Sequence, residues 1–267
     1  MSNNYCLETL IEKTNWDRYF AEALTGKGQE HANKLWWSLL DRDVNRLIQK
    51  LFVGKSSLSI LEAGAGAGGT SMELANHLDV NSLCLVDVSP RALSFAQSIT
   101  PVPLQNKTRY IEADILQLSL NESFDLVWNI GVIEHYPLST IRNMVEILFA
   151  HVRPGGYLVL GIPNRMSLAV IKAALLGSAF GRKYLTFIPG YRNTTEILYA
   201  NRVLHNLITE TTTSPVVTEY AGSMLLVGSP ELFIHWADRL FKPNRFSFLT
   251  LFIVKKPCNL MKLRKTL

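Results

Sequence analysis

The chain has 267 residues, 48% hydrophobic and 18% charged, a balance that excludes extensive disorder and suits one large domain or a core with an appended lobe. Its net charge of +5 is spread along the chain except at Lys255, Lys256, Lys262, Arg264 and Lys265, a cluster that fits a solvated tail or contact with acidic lipid or nucleic acid. Cys6, Cys84 and Cys258 are widely spaced with no CxxC pair, from which neither a disulfide framework nor a zinc site follows, and no apolar run reaches the ~18 residues of a membrane span.

MSNNYCLETLIEK, at the start, contains no apolar signal core, so the expectation is a soluble cytoplasmic chain. Leu7–Leu24 has helical texture. Apolar residues from Leu35 to Phe52 recur every three or four positions, which predicts a second helix, closed by Gly54. Residues 1–54 are expected to form an N-terminal helical cap, and 55–267 the core.

The texture then changes to alternating strand and helix. Leu58–Leu61 is a short apolar strand, followed by a glycine-rich turn and a helix near Thr70–His77. Ser82–Val86 is a second strand, ending at Asp87. Ser89-Pro90 is a helix start, with an N-cap residue before a proline at the first helical position. Thr108–Glu112 and Phe124–Trp128 are a third and a fourth strand, Leu138–Val152 a helix, and Tyr157–Ile162 a fifth strand after the turn Pro154-Gly155-Gly156. Met166–Phe180, Thr194–Thr209 and Pro230–Phe241 have helical character. Val216–Tyr220 and Phe248–Val254 are two late strands. Such alternation predicts a doubly wound α/β domain with a mostly parallel sheet, whose ligand lies at the strands' carboxyl ends. Glu62, Asp87, Asp114 and Asn129 stand at or just past those ends.

Gly64, Gly66 and Gly69 satisfy G-x-G-x-x-G. Glu62 decides what that turn suits. A diphosphate wants backbone donors and no carboxylate nearby, whereas S-adenosylmethionine has no phosphate and carries two positive charges. Glu62 either braces the turn or helps hold the ammonium. Asp87 can accept both ribose hydroxyls, which fits a nicotinamide or an adenosylmethionine site; its other use is to cap the next helix. Asp114 is placed to accept from the adenine amine, or is a loop acid, and Ile115 to pack on the ring.

ILEAGAGAGG, LVDVSPRAL, YIEADILQL, FDLVWNIGVIEHY and VRPGGYLVLGIPN follow one another in order and resemble the motifs of class I S-adenosylmethionine-dependent methyltransferases over about residues 55–163. The resemblance implies a seven-stranded Rossmann-like sheet closed by an antiparallel hairpin. It implies that Gly64, Ala65 and Gly66 line the methionine part of the cofactor, Asp87 and Val88 the ribose and adenine, and Ala113, Asp114 and Ile115 the adenine. Asn129, Ile130 and Gly131 would pass beneath the sulfonium. VIEHY resembles the small-molecule group of that family, in which N-terminal helices and an insertion after the fifth strand, here about 164–195, form a substrate lid.

Methyl transfer chiefly needs alignment and exclusion of water. His135 is the candidate general base, with pocket shaping or loop ordering as its other possible uses. Tyr19, Glu134, His135 and Tyr191 are the candidate substrate residues, and the aromatic lid segments suit an aromatic or lipid-like acceptor. The remaining histidines are scattered, so no metal is expected. Three other functions compete: methylation of a nucleic acid or protein, which the absence of an Asn/Asp-Pro-Pro-Tyr segment disfavours, an NAD-dependent oxidoreductase, which Glu62 disfavours, and a non-catalytic partner with the same fold.

Overall fold

A computed structural model describes residues 14, 17, 34–188 and 195–258. Seven strands form one sheet: β1 (Leu58–Ala63), β2 (Val80–Asp87), β3 (Thr108–Glu112), β4 (Phe124–Ile130), β5 (Val152–Pro163), β6 (Val216–Ala221) and β7 (Leu249–Lys255). Their order is β3-β2-β1-β4-β5-β7-β6. The first five pair in parallel, and β7 runs antiparallel to both β5 and β6. The reversal of strand order between β1 and β4 places a crevice at the carboxyl ends.

Strand residues alternate between two buried faces, as a sheet covered on both sides requires. Leu61, Cys84, Val86, Val127 and Leu160 pack on one side against α5 (Leu138–Ala150) and α8 (Asn201–Thr212). Ile60, Leu83, Leu85, Leu126 and Trp128 pack on the other against α1 (Lys34–Leu51), α2 (Gly69–Ala75) and α3 (Pro90–Ile99). Val44 and Ile48 of α1, with Phe52 just beyond it, are buried there, each contributing about 2 kcal/mol. The helix assigned by sequence to an N-terminal cap therefore shares the core of the sheet. Arg42 fastens it to α9 (Glu231–Leu240) through two 2.7 Å bonds to Asp238.

The expected start at Ser89-Pro90 forms: the Ser89 hydroxyl accepts from the Ala92 amide at 3.1 Å and caps α3. Several boundaries differ from expectation. Strands β1 and β4 run two residues further, so Glu62 and Asn129 lie inside them. The apolar stretch 166–180 divides into α6 (Leu168–Gly177) and α7 (Ala179–Tyr184), because the Ser178 hydroxyl accepts from Gly181 N and caps a new helix. The helix expected from Thr194 begins at Asn201. A short helix, α4 (Val102–Gln105), joins α3 to β3.

Candidate active site

The turn after β1 is built from three glycines in the left-handed region, Gly64, Gly66 and Gly68, with φ of 71°, 53° and 66°. A Cβ on Gly64 would stand 2.4 Å from Val132 Cγ2 and 3.2 Å from Asn129 Nδ2, and one on Gly68 2.5 Å from Leu85 Cδ1. A Cβ on Gly69 would meet nothing within 4 Å. The structural pattern is thus Glu62-x-Gly-x-Gly-x-Gly, and Gly69, the third glycine of the dinucleotide fingerprint, is dispensable to the turn.

Asp87 closes β2 and ties the turn down. Its Oδ2 accepts from Gly66 N and its Oδ1 from Ser89 N, both at 2.8 Å. Burial raises its pKa, opposed by those backbone donors. A carboxylate has about four acceptor positions, so two amide bonds leave capacity for a pair of ribose hydroxyls. Turn bracing, helix-start bonding and ligand binding are compatible uses of one side chain.

Glu62 is buried between β1 and α2. Burial pushes its carboxyl up to about 8, with Ser71 pulling the other way and Asp87 adding to the rise. Its Oε2 is a buried acceptor with no hydrogen-bond donor. Ser71 in turn accepts from Trp128 Nε1 at 2.9 Å. Asn129 is fully buried, donates from Nδ2 to the Ala63 carbonyl and keeps Oδ1 without a donor. The segments flanking the glycine turn therefore carry two buried acceptors and no opposing cation in the hydrogen bonds they make.

A cavity of about 220 Å³ opens above the turn. Gly64, Ala65 and Gly66 form one wall, with Asp87 and Val88 beside them. Ala113, Asp114 and Ile115 form a second side, and Ile130 and Gly131 a third. Asp114 also accepts from Leu116 N at 2.9 Å, which fixes the short turn that presents Ile115. Of the sequence-predicted cofactor residues only Glu62 and Asn129 stand behind the lining rather than in it.

His135 lines the same cavity, at the end of a short turn, Ile133–His135, after β4. Its Nδ1 lies 2.7 Å from the Thr195 hydroxyl. Two further bonds join these segments: Ile197 N donates to Glu134 O at 2.7 Å, and Tyr199 Oη to Tyr136 O at 3.1 Å. Glu134 is buried and does not line the cavity. Tyr19 and Tyr191 lie outside the described residues. Val132, Tyr136 and Met144 line the cavity and were missed. The first and last of VIEHY were within reach of the motif, whereas Met144 arrives by packing of α5 and has no local signal. Thr195 was missed because its partner is 60 residues away.

Residues 60–156 match the family model of a methyltransferase domain. That stretch is a methyltransferase domain, and the chain has the fold of the class I S-adenosylmethionine-dependent methyltransferases. It is 30% identical over 163 residues to a PKS-NRPS hybrid synthetase of Chaetomium globosum, with 58% of the chain matched but 3% of that protein. It is 27% identical over 137 residues to a ubiquinone biosynthesis O-methyltransferase of Rickettsia canadensis, spanning 50% of the chain and 53% of the relative. The chain thus spans about half or less of the length of these two relatives. In fold it is similar to the magnesium protoporphyrin IX methyltransferase of Synechocystis solved with bound S-adenosylhomocysteine, with a TM-score of 0.60, 14% identity and coverage of 93% of this chain and 99% of the other.

The residues present fit that cofactor. The left-handed glycines leave room where a Cβ would block the loop, Asp87 and Asp114 offer acceptors, Val88 and Ile115 offer apolar contact, and the orphaned acceptors suit a cation. Among the described residues, no three His, Cys, Asp or Glu side chains are grouped to hold a metal, and no helix is long and apolar enough to cross a membrane.

Proposed function

We propose that this chain transfers a methyl group from S-adenosylmethionine to a small aromatic or lipid-like biosynthetic intermediate. The observation that carries the proposal is the cavity lined together by the glycine turn, Asp87, Asp114 and His135. The cofactor supplies an electrophilic methyl group. Gly64, Ala65 and Gly66 would hold its methionine part, Asp87 its ribose, and Ala113, Asp114 and Ile115 its adenine.

His135 is assigned the role of general base. With Nδ1–H donating to the Thr195 hydroxyl, Nε2 is the acceptor nitrogen, the state a base requires. The bonds from Thr195, Ile197 and Tyr199 hold the loop that carries this ring. The N-terminal stretch and the insertion at about 164–195 are assigned to closing the site. In support, Asp17 accepts from the Ser89 hydroxyl beside Asp87, and the insertion ends at Thr195.

The test is incubation with methyl-labelled S-adenosylmethionine and three separate fractions: low-molecular-weight metabolites, RNA and protein. Label entering an organic-extractable small molecule is the expected result. Label entering only RNA or protein would overturn the acceptor class.

A further inference from the structure

We propose that residues 165–188, with the adjoining face of α9, dock on an anionic lipid bilayer. The segment carries Arg165, Lys172, Arg182 and Lys183 and not one Asp or Glu. Its inner side is buried through Val170, Ala173, Leu176 and Gly181. An ordinary surface helix would then turn polar residues outward. Here Leu168, Ile171 and Leu175, spaced three and four apart, are about half exposed on α6, and Phe180 and Tyr184 on α7, with Phe187 78% exposed just beyond. Exposed apolar side chains in such a run mark an interaction surface rather than scattered surface residues.

A second helix extends it. Ala169 of α6 and Ile234 of α9 pack on the same small cluster with Trp36 and Leu39, so both helices border it. On α9, Phe233, Trp236 and Leu240 are more than half exposed and Leu232 is 77% exposed. Asp238 of that helix is held by Arg42, while Arg239, Lys242 and Arg245 follow at its end.

The charge selects the occupant. A second copy of this face would bring the same cations against one another. A bilayer of anionic lipid offers negative headgroups to the cations and an apolar interior to the Leu, Phe and Trp side chains, the pairing that interfacial helices use. Tyr184 suits the boundary, with Lys183 Nζ 5.0 Å from its ring and Phe180 packed 5.2 Å away. The segment follows the carboxyl end of β5, at the cavity end of the sheet, and Thr195, further along the chain, lies against His135. Docking there would put the rim of the cavity near the lipid phase. The inference does not rest on methyl transfer, because it is read by binding alone.

Flotation of the full chain with vesicles of phosphatidylcholine alone, or with about 30% phosphatidylglycerol, tests it. The expected result is flotation with the anionic vesicles, at least about tenfold weaker on neutral ones, and reduced in about 0.5 M salt. Leu175→Gln/Phe180→Gln/Phe187→Gln and, separately, Lys172→Glu/Arg182→Glu/Lys183→Glu should each lower vesicle binding at least about tenfold. Leu232→Gln/Trp236→Gln perturbs α9 independently and should lower it too. Thermal melting checks that each variant is folded. Failure of the wild-type chain to float, or undiminished flotation of the folded variants, would overturn the proposal. So would a dimer, seen by sedimentation, that the apolar triple variant dissociates while vesicles bind nothing, because the face would then be a contact between copies.

Discussion

Glu62→Gln is the substitution with the most to reveal. Glu62 is buried, and its carboxyl is pushed up to about 8 from an ordinary 4.5. A carboxyl with a raised folded-state pKa binds more protons folded than unfolded between those two values, so its contribution to stability falls as pH rises from about 4.5 to about 8. The full span corresponds to about 5 kcal/mol, of which about 3 kcal/mol is lost between pH 5 and pH 8. Glu62→Gln removes that titration. Denaturant unfolding of both chains across this range should therefore show the wild type losing about 3 kcal/mol more than the variant on going from acid to neutral and mildly alkaline pH. Parallel pH dependences would refute the burial argument. The same chemistry refines the preference for a cationic ligand: burial favours the neutral form of Glu62, and a cation bound beside it would favour the carboxylate. S-adenosylhomocysteine should accordingly bind more tightly as pH rises toward about 8, and Glu62→Gln should flatten that dependence.

Other substitutions separate turn, base and strap. Gly64→Ala puts a Cβ 2.4 Å from Val132 at a φ of 71°, and should cost about 1–3 kcal/mol in unfolding experiments and most of the S-adenosylhomocysteine affinity. Gly69→Ala meets nothing within 4 Å and should leave that affinity intact while stabilising the fold by up to about 1 kcal/mol. His135→Ala should lower methyl transfer about 10²–10⁴-fold with unchanged affinity for S-adenosylhomocysteine, and an unaltered rate would remove it as base. Thr195→Val removes the partner of His135 Nδ1 and should lower methyl transfer about tenfold with unchanged affinity for S-adenosylhomocysteine, whereas Thr195→Ser, which keeps the hydroxyl, should restore the rate.

Local pattern made the nucleotide-binding half legible. Apolar runs ending in Glu62, Asp87 and Asn129 mark β1, β2 and β4, and the Ser89-Pro90 pair starts α3 as expected. The glycine register was less certain from sequence: G-x-G-x-x-G points to Gly69, while the chain bends at Gly68, because only the backbone path past Leu85 shows which position excludes a Cβ. The acceptor side was harder. Residues 195–200 look helical, yet Thr195, Ile197 and Tyr199 bond to Glu134, His135 and Tyr136, and those distant partners hold them out of the helix that begins at Asn201. The break at Ser178 was visible as a serine within an apolar run, but continuous hydrophobicity masked it. Met144 reaches the cavity from α5 only through tertiary packing.

Calorimetric titration with S-adenosylhomocysteine and with NADH tests the central claim, a cofactor site built for adenosylmethionine on the glycine turn and Asp87. One S-adenosylhomocysteine should bind per chain, NADH should not, and Asp87→Ala should abolish most of the binding. Binding of NADH alone, or an unchanged affinity in Asp87→Ala, would contradict it.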